Sequence, residues 1–377
     1  LVTLQKPEKE GEPEIPGGIG EEDFVCIVLP YVHTAREGVL RLGKLLEQYG
    51  TYEMNGIGFN DADEVWWMET IGGHHWMARR VKDENIVIMP NQLGIDDFDF
   101  DDAYGKQENY LCSPDLKEFT EKYHLDRNSD GKFNPRKVYG SRSDFDHLFN
   151  TPRGWYMGRY FLPTTYRWEG DNADFTPQSD NIPWTFVPES KVTVEDIKYV
   201  LSSHLQGTPY DPYGNDPCKG KYRSIAVSST GHTAIIQIRG DKPEALRSVQ
   251  WVCFGPAIYN NVIPVYTNVA RVPEYLSNVT ENPDTDNYYW CCRMLAAMAD
   301  PHFSSCIDDV EHFRNETSAK SHELLNTYDA KMTEQQDFGL CGEANEAICD
   351  MFRKSMNEVL SKVILTASKE MKNTYHR

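Results

Sequence analysis

The sequence lacks any run of 18 apolar residues, the length that a transmembrane helix needs, so we expect no membrane span. Its start has no basic stretch followed by an apolar one, as a secretory signal peptide would have. Positive charge is also scarce, because 38 lysines and arginines stand against 58 acidic residues and give a net charge of −20. Such a chain repels phosphate backbones and anionic lipid, which argues against binding nucleic acid or a membrane surface.

Several common catalytic motifs are missing as well. The sequence contains no HExxH, no CxxC pair, no GxSxG, no phosphate-binding P-loop and no GxGxxG after a strand. Zinc sites, serine hydrolases, kinases and dehydrogenases of the usual kinds therefore lack their signatures. We expect neither a cofactor nor a metal ion.

The nine cysteines follow no regular spacing, and their number is odd. In a chain of 377 residues this pattern is typical of reduced thiols rather than of a disulfide framework. The sequence therefore favours a cytoplasmic protein. Its first residue is Leu1 rather than methionine, so we also expect that the true N-terminus is missing.

One segment matches a calcium-binding loop in part. Asp126, Asn128 and Asp130 stand at positions 1, 3 and 5 of the motif, and Gly131 stands at position 6. Position 12 should carry a bidentate glutamate but is Lys137, whose charge repels the ion. A turn rich in Asp, Asn and Gly is the alternative interpretation.

The segment DEVWWMETIGGHHWMARRV, which starts at Asp63, predicts two strands joined by a tight turn. His74 and His75 would point to opposite faces and could not bind one metal ion together. The run 65–68 is apolar on both faces, although tight turns favour antiparallel pairing, in which one face is usually wet. We therefore expect a sheet that is covered twice, in an α+β fold made of a four-layer α/β/β/α sandwich of antiparallel sheets.

The remaining sequence suggests a division of the chain. Helices are predicted after Thr34 and after Thr193, each of which can cap a helix, and residues 94–190 form a loop-rich insertion. Beyond residue 282 the pattern is mostly helical. We expect a sandwich over residues 1–282 and a helical region over residues 283–377 that packs on it.

Two polar residues are candidates for a catalytic site. Asn91 follows an apolar strand, where its amide could donate to a developing oxyanion. Arg153 and Arg159 lie on one predicted helix. A simple turn and surface arginines are the alternative interpretations.

Several segments together resemble the dipeptidase A-type cysteine dipeptidases, a family of N-terminal-nucleophile hydrolases. These are YGTYEMNGIGFNDADEVWWMETIGGHHWMARRV, MPNQLGIDDFD, FNTPRGWYMGRY, VLSSHLQGTPYDPYG and KVILTASKEMKN. The resemblance runs over essentially the whole chain, and it implies the same four-layer sandwich.

The resemblance also implies a mechanism. The family's nucleophile is an N-terminal cysteine whose own α-amine accepts the thiol proton, so that the thiol takes the acyl group of a dipeptide and water then releases it. By this correspondence Asn91 is an oxyanion donor, and Arg153, with Arg159 as the alternative, helps to poise the thiolate. The nucleophile itself would belong to a missing N-terminal segment, without which the chain should be inactive. We further expect a homo-oligomer.

Other functions stay open at this point. Related enzymes of the same fold cleave conjugated bile salts or penicillin V, and an amidase of that type is one alternative. A non-catalytic interaction protein, like the secernins of the same broad family, is a second. A calcium-dependent binding module built on Asp126–Asp130 is a third alternative.

Overall fold

The computed structural model describes residues 17–128 and 131–372, and the chain divides into two compact units at residues 1–191 and 192–377. The described elements mix helices with antiparallel strands, which confirms the expected α+β class. The predicted division at residue 282 stays a prediction.

In the first unit, two helices precede four consecutive strands, and shorter elements follow. Its helices are α1 (Glu21–Val28), α2 (Ala35–Tyr49), α3 (Phe100–Tyr104), α4 (Leu116–Lys122), α5 (Pro135–Tyr139), α6 (Asp144–Phe149) and α7 (Thr151–Phe161), with a 3₁₀ turn at Leu29–Tyr31. Its strands are β1 (Gly56–Asn60), β2 (Val65–Gly72), β3 (His75–Val81), β4 (Ile86–Val87), β5 (Tyr110–Cys112) and β6 (Thr185–Phe186).

Helix α2 begins and ends where the sequence predicts. The side chain of Thr34 accepts a hydrogen bond from the backbone of Glu37, which satisfies one of the free N–H groups of the first turn. Gly50, with a φ of 69°, ends the helix in a conformation that favours glycine.

Four strands form an antiparallel sheet in the order β1-β2-β3-β5. The predicted hairpin is present, but its turn is tighter than expected, because β2 continues to Gly72 and only Gly73 and His74 connect it to β3. Gly72 and Gly73 have φ values of 104° and 58°, so two glycines allow the chain to reverse there. His74 therefore lies in the turn rather than in the strand.

Both faces of this sheet are covered, as the apolar run in β2 predicts. On one face Trp66, Met68 and Trp76 pack against α1 and α2. On the other face Ile71 and Met77 pack against the loop-rich segment that follows β4, together with Trp184. Among the described residues of the first unit, loops and short helices cover this second face.

The second unit contains α8 (Val194–Leu201), β7 (His232–Ile238), β8 (Ser248–Phe254), β9 (Ile263–Tyr266), α9 (Glu274–Ser277), α10 (Tyr288–Ala299), α11 (Phe303–Gln335) and α12 (Cys341–Lys369). Short 3₁₀ turns lie at Glu244–Leu246, Asp300–His302 and Phe338–Leu340. None of the helices in the described residues is long and apolar enough to cross a membrane.

A second antiparallel sheet, in the order β7-β8-β9, lies in this unit. Val249, Trp251 and Cys253 alternate along β8 and are buried in one core with residues of α10, α11 and α12. Helix α8 has the predicted capping box, in which Thr193 and Asp196 each bond to the backbone of the other.

Candidate active site

Asn91 lies at the tip of a tight turn directly after β4. The backbone N–H of Gln92 donates to the carbonyl of Pro90 at 2.6 Å, which makes Asn91 the central residue of a three-residue turn. The strand before it is short, and its two residues, Ile86 and Val87, pair with β6, about a hundred residues later in the chain. The turn thus presents the side chain of Asn91 to solvent.

Arg153 reaches Asn91 from the first turn of α7. Its Nη2 atom donates to Oδ1 of Asn91 at 2.8 Å, while its Nε atom donates to the carbonyl of Phe149 at 2.7 Å. The structure therefore brings the two predicted site residues together. Arg159 points elsewhere and pairs with Glu169 at 2.8 Å, so Arg153 is the arginine that contacts Asn91.

A buried carboxylate supports this arginine through one intermediate residue. Arg153 also donates to Oδ1 of Asn150 at 2.6 Å, and Nδ2 of Asn150 donates to Oδ1 of Asp146 at 2.7 Å. Asp146 further accepts hydrogen bonds from Ser141 and from both the backbone and the hydroxyl of Ser143. We call the chain Asp146–Asn150–Arg153–Asn91 the anchored relay.

The charge state of Asp146 follows from these contacts. Burial alone would raise the pKa of its carboxyl group, but the hydrogen bonds from Ser141, Ser143 and Asn150 outweigh burial and hold the pKa below its usual value. Asp146 is therefore an ionised anchor at neutral pH, and its charge fixes the orientation of the Asn150 amide.

A second buried carboxyl group holds the other end of the Asn91 loop. Glu69 on β2 is fully buried and accepts hydrogen bonds from the backbone of Gly94 at 2.7 Å and of Ile95 at 3.2 Å. It also accepts one from Nε1 of Trp67 at 3.0 Å. Burial outweighs these donors and raises the pKa of Glu69 to about 7. The loop is thus tied to the sheet three residues beyond Asn91.

A cleft opens beside the Asn91–Arg153 pair. Pro90 and Gln92, which flank Asn91, and Gly154, which follows Arg153, all line it. Its apolar wall also includes Leu93 and Trp184. The cleft provides an apolar surface for a small ligand next to an amide and a guanidinium group.

The two neighbouring histidines do not form a catalytic or metal site together. His74 is exposed and its Nδ1 atom lies 2.9 Å from the carbonyl of Glu47. His75 is 1% exposed, stacks on Phe119 at 4.0 Å and lies 3.2 Å from a carboxylate oxygen of Asp115. In the part of the chain that the structure describes, no group of three or more His, Cys, Asp or Glu side chains is arranged to hold a metal ion.

The predicted calcium loop is described only in part. Asp126 accepts hydrogen bonds from the backbone and the side chain of Asn128, both at 2.9 Å, as in an ordinary Asx turn. Asp130, the third ligand of the motif, lies outside the described residues. Calcium binding at this loop stays a prediction.

Seven of the nine cysteines of this chain are poor candidates for an attacking thiol. Burial raises the pKa of seven of the nine; these are Cys112, Cys253, Cys291, Cys292, Cys306, Cys341 and Cys349. The other two, Cys26 and Cys218, are exposed. A thiol whose pKa is raised forms little thiolate at neutral pH, so none of those seven is activated.

Comparison with known proteins identifies the class of enzyme. Residues 6–316 match peptidase family C69. A dipeptidase of Bifidobacterium longum is 44% identical over 416 residues, covering 98% of this chain and 78% of the relative. A probable dipeptidase A of Streptococcus pyogenes is 44% identical, covering 99% of this chain and 77% of the relative. A dipeptidase A of Lactobacillus helveticus is 38% identical, with 92% and 72% covered.

The chain belongs to peptidase family C69. For a peptidase, the paired amide and guanidinium beside a cleft are suitable chemistry, because both are donors that can stabilise negative charge on oxygen.

Most of the support around this candidate site could not be predicted from the sequence. The role of Asp146 had a recognisable signal in the sequence, since Ser143 and Asp146 form a capping box like that of Thr193 and Asp196. Glu69 had none, because a glutamate in a strand gives no sign in the sequence that it is buried and bonded to a distant loop.

Proposed function

We propose that this peptidase is a dipeptidase that works by acyl transfer to the thiol of an N-terminal cysteine, followed by hydrolysis. The names of the relatives support the substrate class, since proteins 38–44% identical over nearly the whole chain are dipeptidases or probable dipeptidases. In the proposed reaction the thiolate sulfur bonds to the scissile carbonyl carbon, the C–N bond breaks, and the amine leaves with a proton. Water then cleaves the thioester.

The contact between Arg153 and Asn91 carries this proposal. Because Arg153 donates to Oδ1 of Asn91, the side-chain oxygen is held toward the arginine and the NH₂ group is turned away from it. In our proposal this NH₂ group donates to the oxyanion of the tetrahedral intermediate. A donor fixed in this way needs no reorganisation during the reaction, and one such donor changes kcat by about 10²–10³-fold.

We propose that the attacking cysteine lies outside residues 1–377. Burial raises the pKa of seven of the nine cysteines, which argues against each of them as the nucleophile. The other two, Cys26 and Cys218, are exposed, on α1 and on a loop of the second unit. The positive charge of Arg153 would lower the pKa of a thiol placed next to the Asn91 loop. The α-amine of the same cysteine would accept the thiol proton.

The finer features of the fold belong to the same proposal. We propose that the sheet β1-β2-β3-β5 is one inner layer of a four-layer sandwich, which its two covered faces support. We also propose a homo-oligomer in the cytoplasm. The nine cysteines all lie in the described residues and are free thiols, which suits a reducing compartment.

One experiment tests the activity and the origin of the thiol together. A panel of dipeptides is offered to residues 1–377 alone and to the complete product of the gene, each with and without iodoacetamide. We expect hydrolysis only by the complete product, loss of it after alkylation, and an alkylated N-terminal cysteine by mass spectrometry. Hydrolysis by residues 1–377 that resists alkylation would show that the cysteine mechanism is wrong. Turnover of acylated amino acids but not of dipeptides would show that the substrate class is wrong.

A further inference from the structure

The cleft beside Asn91 is formed by segments from distant parts of the first unit. The loop after β4 provides residues 88–90 and 92–94, on either side of Asn91, and the segment 179–184 provides all its residues but Asn181. A hydrogen bond of 2.8 Å from the backbone of Ile88 to the carbonyl of Trp184 joins the two segments. The end of the cleft is lined by Arg136 of α5 and by Ser141 and Arg142, which follow that helix.

The two arginines in this lining have different surroundings. Arg136 and Arg142 carry two positive charges, and Asp180 is the acidic residue in the lining. Asp180 is already paired, since its Oδ1 atom lies 2.9 Å from Nε2 of His147. Arg136 lies among the carboxyl groups of Glu69, Asp96 and Asp180. Arg142, by contrast, forms no ion pair with any residue that the structure describes.

The hydrogen bonds of the two arginines go to the backbone. Arg136 donates to the carbonyls of Gly94 at 3.1 Å, Asp180 at 3.3 Å and Ile182 at 2.8 Å. Arg142 is exposed and donates to the carbonyl of Lys137 at 3.4 Å, which is long for a hydrogen bond. The single long bond of Arg142 to a neutral carbonyl leaves its charge available, and a planar guanidinium matches a carboxylate in a bidentate pair.

The position of Arg142 relative to Asn91 suits a ligand the size of a dipeptide. Nε2 of Gln92 donates to the carbonyl of Ser141 at 3.3 Å, so neighbours of Asn91 and of Arg142 are in direct contact. An extended peptide advances by about 3.5 Å per residue, so a carbonyl oxygen at Asn91 lies only a few ångströms from the terminal carboxylate of the same dipeptide.

We propose that this cleft binds the C-terminal residue of the dipeptide, with Arg142 contacting its free carboxylate. The half-buried side chains of Met89, Pro90 and Pro183 provide the apolar contacts for the side chain of that residue. This inference rests on the proposed dipeptidase function and adds a reason for the short substrate. A longer peptide would place an uncharged amide where the guanidinium group of Arg142 requires a carboxylate.

The test compares a free acid with its amide. The substrate is the dipeptide that the complete wild-type protein hydrolyses fastest, and its C-terminal carboxamide is the second substrate. We expect Arg142→Gln to lower kcat/KM for the free dipeptide by about 10–100-fold, mainly through KM, because a charge-assisted bidentate contact is lost. For the carboxamide we expect a change of less than about threefold, since a neutral amide makes no such contact. Arg142→Lys should restore part of the activity on the free acid.

Arg167→Gln is the matched control, because Arg167 is an exposed arginine of the same unit whose hydrogen bonds are made by its backbone. It should leave both substrates unchanged. An equal loss on the acid and the amide in Arg142→Gln, or no loss on either, overturns the subsite. If the wild type cleaves neither substrate, the dipeptidase function itself fails, and the subsite fails with it.

Discussion

The guanidinium group of Arg153 donates to the side-chain oxygen of Asn91 across 62 positions of sequence, at a distance of 2.8 Å. This one bond decides which way the amide of Asn91 faces. It joins a turn after β4 to the first turn of α7, and the anchored relay continues it to the buried carboxylate of Asp146. Two further buried carboxyl groups, those of Glu69 and Asp329, also have consequences that can be tested.

Replacing Asn91 by alanine should remove the proposed oxyanion donor. We expect Asn91→Ala to lower kcat on dipeptides by about 10²–10³-fold with little change in KM, because the donor acts on charge that develops in the transition state. Steady-state kinetics of the complete protein measure both constants. Asn109→Ala, at an exposed asparagine of the same unit, should behave as wild type. A loss of less than about threefold would falsify the assignment of Asn91 as a donor.

Replacing Asn150 by alanine should disturb the same donor indirectly. Asn150 touches Arg153 and Asp146 and is 6% exposed, so Asn150→Ala removes the acceptor that holds the arginine in place. We expect kcat to fall by about tenfold, as for a loss of about 1.4 kcal/mol of transition-state stabilisation.

A double-mutant cycle distinguishes an indirect effect on the Asn91 donor from a general loss of structure. If Asn150 acts through Arg153 and Asn91, its replacement should cost little further activity in a protein that already carries Asn91→Ala. Two losses that multiply in the double mutant would show that Asn150 supports the fold rather than the donor.

The anchored relay should also be sensitive to acid. The pKa of Asp146 is lower in the folded protein than its usual value of 3.8, so the unfolded chain takes up a proton at a higher pH than the folded one. The stability that Asp146 contributes is therefore complete above about pH 4 and is lost as the pH falls toward the folded pKa. Urea midpoints between pH 2.5 and 6 should fall more steeply for the wild type than for Asp146→Asn. Parallel curves would contradict the ionised anchor.

The contribution of Glu69 to stability should depend on pH in the opposite direction to that of Asp146. Burial raises its pKa from 4.5 to about 7 in the folded protein, so the folded state holds a proton that the unfolded state has released. The contribution of Glu69 to stability is greatest below about pH 4.5 and is lost as the pH rises toward 7. We expect the free energy of unfolding of the wild type to fall relative to that of Glu69→Gln between pH 4.5 and 7.5.

Denaturant unfolding of the two proteins at matched pH values measures this difference. Glu84→Gln is the control, since Glu84 is exposed and should leave the pH profile of the wild type unchanged. If Glu69→Gln also leaves the profile unchanged, then Glu69 does not titrate in this range and the loop beyond Asn91 is held by an ionised carboxylate.

The second unit has its own buried ion pair. Asp329 of α11 lies 2.6 Å from Nη1 of Arg239, accepts a hydrogen bond from the hydroxyl of Tyr266 at 2.7 Å, and is only 5% exposed. Asp329→Asn leaves the charge of Arg239 buried without a counter-charge, and such a change costs about 3–5 kcal/mol. Chemical denaturation measures this loss in the free energy of unfolding. Asp308→Asn, at an exposed acid of the same helix, is the control and should change stability by less than about 0.5 kcal/mol.

Local patterns in the sequence were sufficient for much of the secondary structure. The caps of α2 and α8 were predictable because a threonine side chain bonds to the backbone three residues later, and both partners lie within one helical turn. The strands β1, β2 and β3 were predictable because apolar residues and tight turns are close together in the chain. The double burial of β2 followed from its tryptophans and methionine.

Contacts between distant segments were not predictable in the same way. Strand β4 is only two residues long and its partner β6 lies about a hundred residues away, so no local pattern shows where the pairing ends. The residue types of Asn91 and Arg153 could be selected from the sequence, with the help of the family resemblance. Their contact could not be predicted from the sequence, and neither could the choice of Arg153 over Arg159.

The sequence by itself therefore determined the class of fold, the positions of the main helices and strands, and the family, because each depends on short-range patterns or on the order of residues. Only the tertiary structure decided that Glu69 is buried beneath the Asn91 loop and that Asp146 anchors Arg153. The physical reason is that burial and hydrogen-bond partners depend on which distant segments pack together. These in turn set the pKa values and the direction in which a polar group faces.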